Sequence, residues 1–230
     1  MPLLRACFPK TSIRSESGAT KSQPSKNVKK ALTIDDISKI FYHQLPKDST
    51  AEMCRDYWMF MYMANGINVK DMCLLKYSNV DGNTISFIRA KTARTKRIVE
   101  PIRIVLNDEL KSIIAKWGNE PDPKKFIFPV LEDGQDLERQ RNLIQQLTHL
   151  INDHMKAIAA DLGIERSVTT YFARHSFATI LQRSGANVSF ISEAIGHSSI
   201  RTTQQYLAGF EDEAKMEALK ALTAFKQQTD

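Results

Sequence analysis

The chain has 230 residues, of which 42% are hydrophobic and 25% are charged, as is ordinary for a globular protein. No apolar run approaches the roughly 20 residues that a transmembrane helix needs, and the first 30 residues lack a signal-peptide core, so we expect a cytoplasmic protein. Cys7, Cys54 and Cys73 show no paired or CxxC spacing, which argues against a disulfide framework and against a zinc site.

The net charge of +6 is concentrated at the N-terminus. Residues 1–30 carry seven Lys or Arg and one Glu, whereas the other 200 residues balance 25 basic against 25 acidic side chains. A basic arm can bind DNA phosphates and release their counterions, but a solvated tail has the same composition. Because residues 1–30 also lack periodic apolar positions, we predict a flexible tail or linker, followed by one domain over residues 31–230.

Apolar spacing predicts helices on both sides of a small sheet. Thr33 and Asp36 form a predicted capping box at the start of the first helix. Helices at 50–64 and 69–75 follow, and a turn at Asp81-Gly82 introduces strands at 84–88 and 98–105. Further helices are expected at 108–117, 136–161, 174–184, 188–195, 199–207 and 211–226. The predicted fold class is mainly α with one small antiparallel β-sheet (α+β).

The segment from residue 171 to residue 206 carries the candidate chemistry. Arg174 and His175 are predicted at a helix start, His197 in the tight turn after Gly196, and Tyr206 toward the end of the next short helix. Such a helix–turn–helix can gather these side chains around one phosphate. Arginine offers a bidentate fork to phosphate oxygens, histidine donates a hydrogen bond, and a tyrosine oxygen can attack phosphorus.

Each of these residues also has an ordinary structural role. An Arg-His pair at a helix start is usually a surface cap, and a histidine after a glycine turn usually makes a local hydrogen bond. A tyrosine near a helix end is usually half-buried. Taken singly, the structural interpretation is the better one for every position.

Taken together, these residues resemble the tyrosine recombinase and phage integrase family. Residues 174–179 match its R-H-[ST]-F-A-T motif. A second motif, in which a leucine-glycine-histidine triplet precedes a threonine and a tyrosine, is matched by Gly196, His197, Thr203 and Tyr206, with Ile195 replacing the leucine. The resemblance extends to about residue 30 and implies the family's catalytic-domain fold.

Two further family positions can be placed on this sequence. The sequence Arg89-Ala-Lys91-Thr resembles the hairpin that carries the family's catalytic lysine, which implies Lys91. The alternatives are a solvated hairpin lysine, or Lys96 as the functional one. Residues 66–75 resemble the G-[LM]-R-x-x-E-L-x-x-L motif, whose arginine is the family's first phosphate-binding arginine.

The chain departs from the family at two positions. Asn68 stands where that first arginine is expected, although Asp71 keeps the acidic position three residues later. An amide donates hydrogen bonds but carries no charge, so we expect a rate reduced by about 10²–10³ unless Lys70 or Lys76 substitutes. Tyr171 replaces the first histidine of the family's H-x-x-R motif, a milder change because a phenol still forms hydrogen bonds.

The resemblance implies a mechanism and its residues. Tyr206 attacks a DNA phosphodiester to form a 3′-phosphotyrosyl bond, Arg174 and His197 stabilise the phosphoryl oxygens, and Lys91 protonates the leaving 5′-oxygen. His175 supports the arginine or the phosphate from behind. No metal, cofactor or ATP is implied. Additional contacts to DNA are expected from Lys70, Arg94, Lys96 and Arg201.

Double-stranded DNA is the implied partner, together with further copies of the chain. Met216, Leu219, Leu222 and Phe225 form an apolar stripe on the predicted helix 211–226. Family members dock such a helix onto a neighbouring protomer in a DNA-bound tetramer, although packing within one chain explains the stripe equally well. We therefore expect a homo-oligomer on DNA, located at the nucleoid.

Family members usually carry an N-terminal core-binding domain, where this sequence has only the basic tail. We expect either a fragment or a stand-alone catalytic domain, in both cases with weak, salt-sensitive DNA binding.

Two rival interpretations remain open. A non-catalytic or catalytically impaired DNA-binding protein would use residues 188–207 as a helix-turn-helix, which tolerates Asn68 but does not explain the Arg174 motif or the Lys91 hairpin. A type IB topoisomerase would use the same chemistry without strand exchange.

Overall fold

Helices and one small sheet make up the described chain. A computed structural model describes residues 31–90, 100–197, 199–204 and 207, so the predictions for residues 1–30 and for helix 211–226 lie outside it. The elements in chain order are α1 (Ile34–Tyr42), α2 (Thr50–Met63), α3 (Val69–Leu74), β1 (Val80–Asp81), β2 (Thr84–Phe87), β3 (Ile102–Val105), α4 (Asp108–Trp117), α5 (Leu137–Asp161), α6 (Thr170–Arg183) and α7 (Val188–Ala194). Residues 200–204 are also helical. This architecture agrees with the predicted fold class.

The sheet is antiparallel, with strand order β1-β2-β3. Ile85 pairs with Ile104, and Phe87 pairs with Ile102, so these four buried side chains share the face that lies on the core. The return strand was predicted from residue 98, but its described part begins only after Pro101. Proline lacks the N–H that a strand ladder needs, which explains a start at the next residue.

Helix α2 forms the centre of the core and contacts α4, α5 and α6. Tyr57, Trp58 and Phe60 are fully buried on it, and the rings of Tyr57 and Phe60 both meet the Phe128 ring edge-on, at centroid distances of 4.9 and 5.0 Å. A helix that is apolar around most of its circumference must be enclosed on all sides. Burial accordingly raises the pKa of the Tyr57 phenol.

The start of the described chain is fixed by local and long-range hydrogen bonds. The predicted capping box is present, since Asp36 N donates to Thr33 Oγ1 at 3.1 Å and Thr33 N donates to Asp36 Oδ2 at 3.2 Å. Just before it, the buried Leu32 N donates to Ser176 Oγ at 2.9 Å. This bond attaches the entry of the domain to α6.

Helix α6 begins four residues earlier than predicted, which corrects the placement of Arg174. The helix starts at Thr170, whose N–H donates to Asn152 Oδ1 of α5 at 2.8 Å. The preceding carbonyl of Thr169 accepts from Trp58 Nε1 at 2.9 Å. Because these contacts come from distant parts of the chain, no local signal marked the start, and Arg174 lies in the second turn.

Within the described ranges, no helix combines the length and the apolar character that crossing a membrane requires.

Asp56 joins α2 to α4 through a buried carboxylate that is 8% exposed. Its Oδ2 accepts from Trp117 Nε1 at 2.8 Å and from Lys116 Nζ at 3.2 Å, while Oδ1 accepts from Arg55 Nη2 at 2.7 Å. A buried carboxylate is tolerated only when its oxygens are matched by donors in this way.

We expect Asp56→Ala to lower the free energy of unfolding by about 2–4 kcal/mol, because it leaves the Trp117 indole N–H without its acceptor and takes one of their acceptors from Arg55 and Lys116, which both keep Glu52. Urea denaturation followed by circular dichroism measures the change. The matched control is Asp108→Ala, which removes a carboxylate that is 98% exposed and should alter stability far less. Equal effects of the two substitutions would contradict this account of the network.

Gly66 lies where the α2–α3 connection meets the backbone of α6. Its φ is +61°, and a Cβ at this position would lie 2.9 Å from Cα of Arg174. Gly163 has a similar φ of +67°, but a Cβ there would meet no heavy atom within 4 Å. The two glycines therefore separate backbone strain from steric contact.

Gly66→Ala and Gly163→Ala should both incur the cost of a positive φ, about 1 kcal/mol. We expect Gly66→Ala to lower the free energy of unfolding by a further amount of about 1–3 kcal/mol, because the added methyl group would clash with α6 at Arg174. Urea titrations of both variants measure the difference. If the two lose the same stability, the close approach to α6 has no energetic importance.

Candidate active site

Arg174 connects three segments of the domain. From the second turn of α6, its Nη1 donates to Gly66 O at 3.0 Å and its Nη2 donates to Ile195 O at 2.5 Å. The first carbonyl belongs to the connection between α2 and α3, and the second belongs to the end of α7. The guanidinium is therefore held by backbone atoms on two sides. One of them, Ile195 O, lies two residues before His197 in the chain.

His197 follows the glycine turn that was predicted for it. Gly196 has a φ of +63° and ends α7, and His197 N donates to Ser192 O at 2.9 Å. The ring Nδ1 lies 2.9 Å from Oγ1 of Thr203, which is fully buried. A threonine hydroxyl can donate or accept, so this contact orients the imidazole in either tautomer.

The side chain of Asn68 caps a helix. Its Oδ1 accepts from Asp71 N at 2.9 Å, which makes Asn68 the N-cap of α3, and its Nδ2 donates to Asp71 Oδ2 at 2.6 Å. Both contacts join Asn68 to Asp71, which holds the acidic position of the same sequence motif. The amide at the position of the family's first arginine thus serves the local structure of α3.

Asp71 is a buried carboxylate, 4% exposed, that connects α3 to the end of β2. Its Oδ1 accepts from Ala90 N at 2.9 Å, and its Oδ2 lies 3.5 Å from Arg89 Nε. Ala90 is the described residue that directly precedes Lys91 in the sequence. The carboxylate therefore fixes the chain at the entry to the predicted hairpin.

Arg89 also lies at the candidate site, although its place in the sequence indicated only the position of Lys91. Its Nη1 lies 3.1 Å from Gly196 O and 3.4 Å from Ile195 O, and its side chain is 15% exposed. The guanidinium thus joins the end of β2 to the turn before His197. The sequence signal for Arg89 was its position, after a predicted strand and two residues before the predicted catalytic lysine. Spacing alone could not indicate that its side chain contacts Ile195 and Gly196.

Tyr171 and His175 lie one helical turn apart on α6 and contact each other. Their ring centroids are 4.1 Å apart at an interplanar angle of 71°. His175 is 7% exposed, whereas Tyr171 is 51% exposed. The phenol at the position of the family's first histidine therefore lies at the surface and covers the buried imidazole.

The other predicted positions fall into two groups. Lys70 and Arg201 are described and exposed, whereas four lie outside the described residues: Tyr206, Lys91, Arg94 and Lys96. Lys76, one suggested substitute for the missing arginine, binds elsewhere, since its Nζ lies 2.7 Å from Asp133 Oδ1 and 4.8 Å from the centre of the Phe126 ring.

The described site favours an anion. Two guanidinium groups contact the backbone carbonyls at the end of α7, directly before His197 in the chain. The carboxylate of Asp71 lies against one of them, that of Arg89. Positive charge therefore exceeds negative charge among these described side chains. Guanidinium and imidazole groups are suitable donors to the oxygens of a phosphate.

Comparison with known proteins identifies the family of this chain. Residues 30–213 match the phage integrase family. Tyrosine recombinase XerD of Listeria monocytogenes serotype 4b (strain F2365) is 29% identical over 191 residues, which cover 79% of this chain and 59% of that protein. Tyrosine recombinase XerA of Thermococcus onnurineus (strain NA1) is 30% identical over 182 residues, covering 79% of this chain and 58% of that protein.

The fold is shared with solved structures at lower identity. The structure of the Tn1549 transposon integrase in complex with transposon right end DNA aligns with a TM-score of 0.55 and 17% identity, covering 85% of this chain and 67% of that chain. The present chain spans about 59% of the length of the first curated relative above. The chain belongs to the phage integrase family and has the fold of a tyrosine recombinase catalytic domain.

Proposed function

We propose that this chain is the catalytic part of a site-specific DNA recombinase that cuts and rejoins strands through a 3′-phosphotyrosyl bond to Tyr206. The observation that carries the proposal is the meeting of the Arg174 guanidinium and the His197 turn at the end of α7. The proposed substrate is double-stranded DNA, which agrees with the fold shared with the Tn1549 transposon integrase that was solved in complex with transposon right end DNA.

The described neighbours of Tyr206 in the sequence support this role. Thr203, three residues earlier, contacts the His197 ring, and Leu207, the next residue, is buried with Ile191 and Ile195 of the α7 end. Of the described residues beside Tyr206, one therefore contacts the imidazole and the other packs against the end of α7.

The proposed reaction exchanges one phosphodiester for another. The Tyr206 oxygen forms a bond to phosphorus and releases its proton to solvent, while the bond from phosphorus to the 5′-oxygen breaks and that oxygen takes up a proton. A free phenol has a pKa of about 10, so Tyr206 is protonated before the attack and must lose this proton. Charge develops on the phosphoryl oxygens, where Arg174 and His197 stabilise it by donating hydrogen bonds. No energy source is needed, because the phosphotyrosyl bond conserves the energy of the bond that breaks.

Lys91 is the proposed general acid that protonates the leaving 5′-oxygen. Its support is the anchoring of the preceding residue, since Ala90 N donates to Asp71 Oδ1 at 2.9 Å. His175 is proposed to support Arg174 from the buried side of α6. Lys70, Arg94, Lys96 and Arg201 are proposed to contact DNA phosphates, which makes binding salt-dependent.

We also propose that the active form is a homo-oligomer on DNA, a tetramer that exchanges the predicted helix 211–226 between protomers. The support is the apolar stripe in the sequence of this segment, which needs a hydrophobic surface to cover it; we propose that a neighbouring protomer, rather than the same chain, provides that surface.

Trapping of the covalent intermediate tests the enzyme assignment. The chain is incubated at low ionic strength with duplexes that carry a nick beside a randomised sequence, so that the released strand diffuses away after cleavage. We expect a protein–DNA complex that survives detergent, and none with Tyr206→Phe, which lacks the nucleophilic oxygen. The control Tyr42→Phe alters a tyrosine that is 71% exposed and should give the wild-type yield.

A non-catalytic DNA-binding protein is the second candidate, because α7, the Gly196 turn and the helical residues 200–204 follow one another as in a helix-turn-helix. That candidate predicts DNA binding without any covalent complex. A detergent-resistant complex that persists in Tyr206→Phe would contradict the assigned nucleophile.

We expect Thr203→Val to slow formation of the covalent complex by about 10- to 100-fold, less than the 10²–10³ caused by removing a transition-state donor itself. The reason is loss of the hydroxyl that orients the His197 ring through Nδ1. Thr203→Ser keeps the hydroxyl and should retain most of the rate. Thr202→Val, at an exposed neighbouring position, is the matched control. Equal rates for Thr203→Val and Thr202→Val would exclude a role of this contact.

A further inference from the structure

We infer that Arg89 is a second phosphate-binding arginine and supplies, from the end of β2, the charge that is missing at Asn68. The inference rests on the proposed function, since it assigns a role in the same reaction. It differs from the expectation that Lys70 or Lys76 replaces the arginine.

The first support is that Arg89 and Arg174 contact the same backbone atom. Nη2 of Arg174 donates to Ile195 O at 2.5 Å, and Nη1 of Arg89 lies 3.4 Å from that oxygen and 3.1 Å from Gly196 O. The two guanidinium groups thus converge on the end of α7, directly before His197. A phosphate held by Arg174 and His197 would lie within reach of both.

The second support is the space that the turn leaves for this side chain. A Cβ on Gly196 would lie 2.8 Å from Cδ of Arg89 and 2.3 Å from Cδ1 of Ile102. Real Cβ atoms do not approach so closely, so the Arg89 stem packs against the turn only because residue 196 is glycine. The turn that positions His197 therefore also positions Arg89.

The third support comes from the carboxylate that follows position 68. Asn68 Nδ2 donates to Asp71 Oδ2 at 2.6 Å, and Arg89 Nε lies 3.5 Å from the same oxygen. The guanidinium thus occupies the neighbourhood of the Asn68 amide, although it comes from another element. Arg89 therefore places a positive charge close to position 68, where the family motif has its arginine.

The net charge of the cluster explains why Arg89 would matter for catalysis. Without Arg89, the positive charge of Arg174 would be balanced by Asp71 among the described side chains of this cluster. A phosphodiester carries one negative charge, and its transition state carries a second, so a neutral cluster stabilises it poorly. With Arg89 the cluster is cationic. The arginine is also 15% exposed at its side chain, which allows contact with a bound strand.

The experiment measures single-turnover cleavage of nicked duplexes recovered from the trapping selection, at saturating protein so that differences in affinity are removed. Arg89→Gln should reduce the rate by about 10²–10³. The cleavage rate of Arg89→Lys should lie between those of the wild type and Arg89→Gln, because a lysine keeps the charge without the bidentate fork. The control Arg103→Gln removes an exposed arginine of β3 and should leave the rate unchanged.

A second-site substitution separates supplied charge from local structure. The double variant Asn68→Arg with Arg89→Gln places a guanidinium at the position of the family's arginine. We expect it to cleave at least about tenfold faster than Arg89→Gln alone, which restores part of the lost rate. Replacing the scissile phosphate by a neutral methylphosphonate should also shrink the difference between wild type and both single variants at Arg89. A purely structural bridge to Gly196 predicts neither result.

The outcomes distinguish this inference from the proposed function. If the wild type forms the covalent complex and Arg89→Gln matches its rate, Arg89 has no such role and the recombinase assignment stands. The inference is likewise overturned if both variants are slow but neither the Asn68→Arg background nor the methylphosphonate reduces the deficit. A wild type that forms no covalent complex overturns both proposals together.

Discussion

The end of α7 is the point on which the site depends, because its backbone carbonyls hold two like charges together. Ile195 O and Gly196 O accept from the guanidinium groups of Arg174 and Arg89, which would otherwise repel each other. Carbonyl groups at the end of a helix carry partial negative charge and favour nearby cations. The next residue is His197, so the arrangement that binds the arginines also places the imidazole.

Asp71 offsets this positive charge and connects the site to the sheet. Its carboxylate contacts Arg89 and accepts from the backbone of Ala90, so α3 and the end of β2 are joined by a buried ionic contact. A buried carboxylate requires such donors, because leaving it without them would cost several kcal/mol. The segment that leads to Lys91 is therefore anchored by the same group that stabilises the Arg89 side chain.

Position 68 shows how one residue can serve either local structure or catalysis. Asn68 is a good N-cap, since its side-chain oxygen accepts from Asp71 N at the start of α3. An arginine has no acceptor and cannot make this bond. The chain thus gains a helix cap at the position where the family motif places a charge, and a guanidinium reaches the same carboxylate from the sheet.

The sequence by itself determined the helices, the small sheet and the family, because these depend on patterns within a few residues: the Thr33 capping box, the alternation in β2, and the motifs around Arg174 and His197. It failed where distant groups decide. Helix α6 starts at Thr170 because Asn152 on another helix accepts from its N–H, and Arg89 joins the site through carbonyls more than a hundred residues away. Periodicity and capping act locally, whereas these hydrogen bonds exist only after the chain has folded, so only the tertiary structure decided them.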